Sequence, residues 1–250
     1  MVWREKLVAC AIHFSVTLVV AFAAAGFIFL VWYPAPFGEM LGGTRLFLIL
    51  SGCDIVLGPL LSLVIYNSRK PKRELITDYV VVGAVQLAAL IYGMYVVAVA
   101  RPAFIVFSKD RLEVVSALDI DDADLAEAKE PRFAHRPWSG PELVAAVVEN
   151  KDKNDALNRA LQGKDVSARP KFYEPYESQL DAIKRQVQPI ATLLAKFPDS
   201  KSVVEAALLD HELTIDEARW LPTQHRKGFW TALLDPQTGQ PLAYVPIDPY

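Results

Sequence analysis

Three long apolar runs crowd into the first hundred residues, and they restrict the possible folds more than any other feature of the chain. No residue from Leu7 to Gly38 is charged, only Asp54 is charged from Leu46 to Tyr66, and none is from Tyr79 to Ala100. About 20 apolar residues in helical form cross the roughly 30 Å hydrocarbon core of a bilayer. The pattern predicts three transmembrane helices, at about 7–32, 46–66 and 79–100, in a membrane domain 1–100 that is followed by a second domain, 101–250. The first run begins with Arg4 and Lys6 and carries small residues at 21–26, as a cleavable signal peptide would. It then continues through FIFLVWY, well past a signal core, so it reads as a retained anchor. Trp32 and Tyr33 at its end suit the membrane interface.

Basic residues set the expected orientation. Arg4 and Lys6 precede the first run, and Arg69, Lys70, Lys72 and Arg73 fill the loop between the second and third. The stretch from Pro34 to Thr44 has no basic residue. Positive-inside counting therefore puts the N-terminus and the RKPKR loop in the cytoplasm and everything after Ala100 across the membrane. Residues 101–250 hold 19 Lys/Arg against 24 Asp/Glu, a balance of 19 − 24 = −5, which argues against a nucleic-acid partner. Both cysteines, Cys10 and Cys53, lie in the apolar runs, so the exported part has no disulfide and no thiolate chemistry.

The exported part reads as a small α+β domain. AFIVF and LEVVSA, on either side of Ser108-Lys109-Asp110, predict a hairpin, and GFWTALLD and QPLAYVPID predict another around PQTG. DIDDADLAEAKE predicts an acid-started surface helix. SGPELVAAVVEN predicts a helix capped by Ser139 with Pro141 in its first turn. YESQLDAIKRQVQPIATLLAKF predicts a helix bent or divided at Pro189, and TIDE at 214–217 matches a capping box.

Catalytic and metal chemistry find little support. Asp119, Asp121 and Glu130 fall at calcium-loop positions 1, 3 and 12, but Ala123 and Asp124 occupy the positions that need a ligand and a turn glycine. His135, His211 and His225 lack ligand spacing, and Asp210-His211-Glu212 reads as a solvated helix end. WSGPEL is not a nucleophile elbow, and no glycine-rich phosphate loop appears. The reading is no enzyme, no metal and no cofactor. The aromatic-rich end, with Trp220, Phe229, Trp230, Tyr244 and Tyr250, fits either core packing or an exposed patch for a partner.

The second apolar run raises the sharpest question. On a helix Ser51, Asp54, Gly58 and Ser62 recur at spacings of 3, 4 and 4 and line one small, polar stripe that lets another helix come close. Pro59 frees the carbonyl of Ile55 a turn earlier. An Asp at mid-membrane costs about 2.5 to 3.5 kcal/mol on insertion scales, so Asp54 should face protein. Counting about 1.5 Å per residue puts Tyr92 at a similar depth, with His13 and Gln86 at a second, shallower polar level. Asp54 is then either an internal fastener or a docking group for another helix.

These residues also carry a resemblance. WYP (32–34), GCDIVLGPLLSLVIY (52–66), QLAALIYGMYVVAVARPAFIVFSKDRLEVV (86–115), LDPQTG (234–239) and IDP (247–249) resemble the type IV pilin accessory proteins, the TfpX/TfpZ family. Cys53 stands where that family favours valine, and Tyr250 ends the chain where tryptophan is common. The resemblance implies a bundle of three transmembrane helices followed by a periplasmic α+β domain, in a bacterial inner membrane. It implies a chaperone-like accessory role for a type IV major pilin, contacting its membrane helix and periplasmic head, with the lipid bilayer and other pilus assembly components as further partners. The expected partner-binding residues are Ser51, Asp54, Gly58, Pro59, Ser62, Tyr92, His13 and Gln86. A generic membrane-anchored interaction or signalling module and a membrane-bound hydrolase or transferase remain the competing classes.

Overall fold

The computed structural model describes residues 2–211 and 213–250. The chain forms two compact units, Met1–Ala100 and Arg101–Tyr250. The first contains three long apolar helices, and the second joins helices to a sheet. In the first unit α1 (Val2–Phe27) runs on through a π-type turn, Ile28–Trp32, and a short helix α2 (Phe37–Met40) leads into α3 (Gly43–Ile65). The last helix, α4, spans Lys72–Ala100. All three long helices have the length and apolar character needed to cross a membrane. They outrun the apolar runs at their N-terminal ends, because α1 and α4 carry the charged turns around Arg4 and Lys72 outside the apolar stretch.

Both α1 and α4 pack on α3. One end of this unit is sealed by Ile28, Trp32, Tyr33 and Val97, with Leu46, Phe47, Leu50 and Met94 packed around them. The Tyr33 hydroxyl donates to the Val97 carbonyl at 3.1 Å and ties the end of α1 to α4. Gly93 permits the α3–α4 crossing there, since a Cβ at that position would stand 3.2 Å from Leu50 Cδ1. At the other end Lys6 Nζ donates to the Leu63 carbonyl at 3.0 Å, covering one of the acceptors exposed at the end of α3.

The second unit has one mixed sheet with strands in the order β4-β3-β1-β2-β6-β7-β8. These are β1 (Pro102–Ser108), β2 (Arg111–Ser116), β3 (Glu142–Ala146), β4 (Tyr173–Pro175), β6 (Arg219–His225), β7 (Gly228–Leu234) and β8 (Pro241–Val245). A two-residue strand β5 (Gln188–Pro189) pairs with β6. The predicted hairpins β1–β2 and β7–β8 are present, the first turning through Lys109 at φ 59°. Strands β2 and β6 are parallel and pair only at Leu112–Thr223 and Glu113–Gln224. The core is correspondingly split. Phe104, Val106, Phe133, Val144 and Tyr173 fill one part, and Ile190, Leu193, Val204, Trp220 and Leu233 fill the other.

Several expected elements differ. SGPELVAAVVEN forms strand β3, not a helix, because its apolar run pairs with β1 on one side and β4 on the other. That pairing overrides the helix preference of its alanines. DIDDADLAEAKE is helical only in α5 (Asp122–Ala126), and it is not a free surface element. Asp124 is 4 % exposed and ion-paired to Lys164, which also holds Asp121. Arg169, 2 % exposed, bonds Asp155 of α6 (Lys153–Leu161) at 2.7 Å and approaches Asp124 at 3.7 Å. The acidic run therefore meets its counter-charges from a segment about 40 residues later, which no local reading of sequence supplies.

The helix around Pro189 is divided there, into α7 (Leu180–Gln186) and α8 (Ile190–Lys196), and α9 (Lys201–Leu208) follows. In TIDE the Thr214 backbone N–H donates to Glu217 at 3.0 Å, yet the chain turns into β6 and no helix follows. Strand β6 was hidden by Pro222, which cannot donate to a ladder; the two-residue pairing with β2 begins just after it. In Asp210-His211-Glu212 the structure describes a short 3-10 turn over Leu209–His211, and Glu212 lies outside the described residues. The aromatic-rich end divides. Trp220 is core and donates to Thr192 Oγ1 at 3.0 Å, whereas Phe229 packs edge-on against the exposed Tyr250 at 4.8 Å.

Candidate functional site

Beyond the sealed end, α1 and α4 diverge over α3 and leave a groove of about 520 Å³. Its walls are mostly apolar, and its polar groups come from all three helices: His13 and Thr17 on α1, Ser51 and Asp54 on α3, Tyr79 and Gln86 on α4. Each set follows helical spacing. His13 and Thr17 are four apart, and Tyr79, Gly83, Gln86 and Leu90 are spaced 4, 3 and 4 along one face of α4.

A hydrogen-bonded bridge crosses the groove. His13 Nδ1 meets Ser62 Oγ at 2.7 Å, and His13 Nε2 meets Gln86 Oε1 at 2.9 Å. Since the Gln86 oxygen only accepts, His13 Nε2–H is the donor in that bond. The bridge fits only because residue 58 is glycine. A Cβ there would lie 2.5 Å from Gln86 Nε2 and 2.8 Å from His13 Nε2. Gly58, Pro59 and Ser62 are buried. Interhelical hydrogen bonds in membranes average about 0.6 kcal/mol each, so the bridge fixes geometry more than it adds stability.

The expected site residues thus separate into three groups. His13, Ser62 and Gln86 form the bridge over Gly58 and Pro59. Ser51 and Asp54 line the groove beside it, and among the described residues no hydrogen bond or ion pair reaches the Asp54 carboxylate. Tyr92 stands apart, 67 % exposed and outside the groove wall, with no bond to Asp54. Depth counting matched Tyr92 to Asp54 but carried no information on which way its side chain turns. Thr17 and Tyr79 were not singled out from the sequence, although their helical spacing from His13 and Gln86 was a readable signal. Among the described residues no three His, Cys, Asp or Glu side chains gather as a metal site requires.

An apolar three-helix unit with an open groove carrying polar groups from each helix, joined in one chain to an α+β unit, defines a membrane-associated protein. Comparison with known proteins narrows this class. A family model described as Fimbrial assembly protein FimB matches residues 1–42. The fimbrial assembly protein of serogroup E1 from Dichelobacter nodosus is 36 % identical over 228 residues, 90 % of this chain and 88 % of the relative. The serogroup I protein of the same organism is 35 % identical over the same shares. The protein of serogroups C1 and C2 is 42 % identical over 117 residues, 47 % of this chain and 89 % of that relative. No solved structure matches the chain. The chain belongs to the fimbrial assembly protein family, in keeping with its resemblance to the type IV pilin accessory proteins.

Proposed function

We propose that this protein is a non-catalytic accessory factor in fimbrial assembly that holds a type IV major pilin in the membrane before it is built into a pilus. The observation that carries this reading is Asp54, a carboxylate that no hydrogen bond or ion pair reaches among the described residues, in the wall of a mostly apolar groove. A charge at this depth needs a partner, and an unpartnered intramembrane carboxylate is more naturally a docking group than a fastener. The client helix is long and apolar and brings its own polar groups, including a free amine once its leader is cut. In this reading the RKPKR loop faces the cytoplasm of a bacterial inner membrane, and residues 101–250 lie in the periplasm beside the pilin head. Binding there supports pilin stability or pilus assembly.

The test is Asp54→Asn, which keeps the shape of the side chain and removes its charge. The variant is expected to accumulate normally in membranes yet to recover no pilin on mild-detergent purification and to leave cells without pili. Loss of the variant from the membrane would identify Asp54 as a fastener, and wild-type behaviour in both assays would remove the charge from the mechanism.

A further inference from the structure

Arg101 follows Ala100, the last residue of α4, by one peptide bond, and β1 begins at the next residue, Pro102. The uncharged stretch Tyr79–Ala100 extends about 33 Å as a helix, close to the thickness of a hydrocarbon core. With α4 across a bilayer, Arg101 is the charge that ends the span, and it holds two loops. Its carbonyl accepts the Ala117 N–H at 2.9 Å. Its guanidinium donates to the Pro137 carbonyl, from Nη2 at 3.0 Å and from Nε at 3.3 Å. Arg136 joins the two loops to each other, donating from Nε to the Ala117 carbonyl at 2.9 Å and from Nη2 to the Ile120 carbonyl.

Each loop turns one large apolar side chain outward. Leu118, next to Ala117, is 56 % exposed, and Trp138, next to Pro137, is 63 % exposed. The Arg101 guanidinium lies 5.7 Å from the centre of the Trp138 ring. The headgroup layer on each side of a bilayer is about 5 to 7 Å deep, so a ring at that distance from the end of a span is within its reach. A single exposed apolar side chain is ordinary on a soluble surface. Here two of them hang on loops that are hydrogen-bonded to the very residue that ends a span. The carboxylates nearest Leu118 are engaged within the unit: Asp119 accepts the Ser116 N–H at 3.2 Å, and Asp122 pairs with Arg136 at 2.7 Å.

We propose that Leu118 and Trp138 seat the α+β unit on the lipid bilayer, both side chains entering the interfacial layer of the leaflet in which α4 ends. A tryptophan suits that layer because its ring is apolar and its N–H is polar, in a region dry on one side and wet on the other. Lipid is favoured over a water-borne protein as the occupant because β1 follows α4 with a single residue between them, so the Arg101 loops stay at the end of the span. The inference rests on α4 crossing the bilayer and asks nothing of a pilin or of Asp54.

The test uses the full-length protein reconstituted into phosphatidylcholine vesicles, either plain or brominated on the acyl carbons nearest the headgroup. Bromine quenches tryptophan emission only at close range, and the difference between wild type and Trp138→Phe isolates Trp138 from the other four tryptophans. The expected result is loss of that difference emission in brominated vesicles and its survival in plain vesicles carrying iodide on both sides. Leu118→Trp in the Trp138→Phe background should show the same pattern from its added emission. Emission from position 138 that survives bromine and is lost to iodide would place the ring in water, on a face open to a protein partner, and would overturn the proposal. Quenching by neither would mean a ring covered by protein and would overturn it too. If Trp138→Phe proves unfolded by near-ultraviolet circular dichroism, Leu118→Trp in the otherwise unchanged chain gives the reading instead. The vesicles hold no pilin, so a failure here is distinct from a failure of pilin recovery.

Discussion

At one end of the membrane unit Ile28, Trp32, Tyr33 and Val97 are buried together; at the other, α1 and α4 stand apart and a 520 Å³ groove takes the place of a core. Both ends are made of the same three helices, and both are strongly apolar. Hydrophobicity cannot explain the difference, because lipid tails solvate an apolar helix face as well as another helix does. What distinguishes the ends is shape and polarity. The sealed end interlocks large rings with a glycine crossing, which collects dispersion contacts. The open end has mostly apolar walls with a few polar side chains: the His13 bridge is hydrogen-bonded, and among the described residues no hydrogen bond or ion pair reaches Asp54.

That contrast can be broken experimentally, and the largest expected effect is at the sealed end. Trp32→Ala removes a ring that is almost wholly buried and should destabilise the unit by about 3 kcal/mol, as truncating a buried aromatic does. Thermal melting of the protein in detergent measures this, and an unchanged melting temperature would mean that the sealed end is not what holds the helices together. Gly58→Leu comes next. Its side chain must displace both His13 and Gln86, for an overpacking cost of about 2 kcal/mol. It should lower the melting temperature less than Trp32→Ala while abolishing pilin recovery; retention of pilin would separate the bridge from docking.

His13→Ala should be milder. It deletes both bridge bonds for a loss of about 1 kcal/mol at the average value of such bonds, and the same melting assay should just resolve it.

The smallest predicted effect lies in the α+β unit, at the partly buried Glu113 of β2. Glu113 has its carboxyl raised above 4.5 by burial, so its folded form prefers the proton. Its contribution is fully present below pH 4.5 and is lost as pH rises through the raised value. Glu113→Gln should therefore give a slightly higher melting temperature than wild type near pH 7 and none of that advantage at pH 4. A variant equally stabilised at both pH values would show that the charge is not the cause.

What could be read from the sequence follows from the range of the forces involved. Three apolar runs determined three long helices, because helix length against bilayer thickness is a local count. Two hairpins were legible from alternating strands and their turns, and the stripe on α3 was legible because helical spacing is also local. The sequence could place Asp54, Gly58 and Ser62 on one face, but it could not say that His13 would reach Ser62 and Gln86 together, or that Tyr92 would turn outward. Those outcomes depend on how far α1 and α4 splay over α3. Likewise LVAAVV looks helical alone and became β3 because β1 and β4 flank it, and the acidic run near Asp121 looks solvated alone until Lys164 and Arg169 arrive from later in the chain. Spacing along a chain determines which side chains share a face; only tertiary packing decides which faces meet, and therefore which polar groups find partners within the fold.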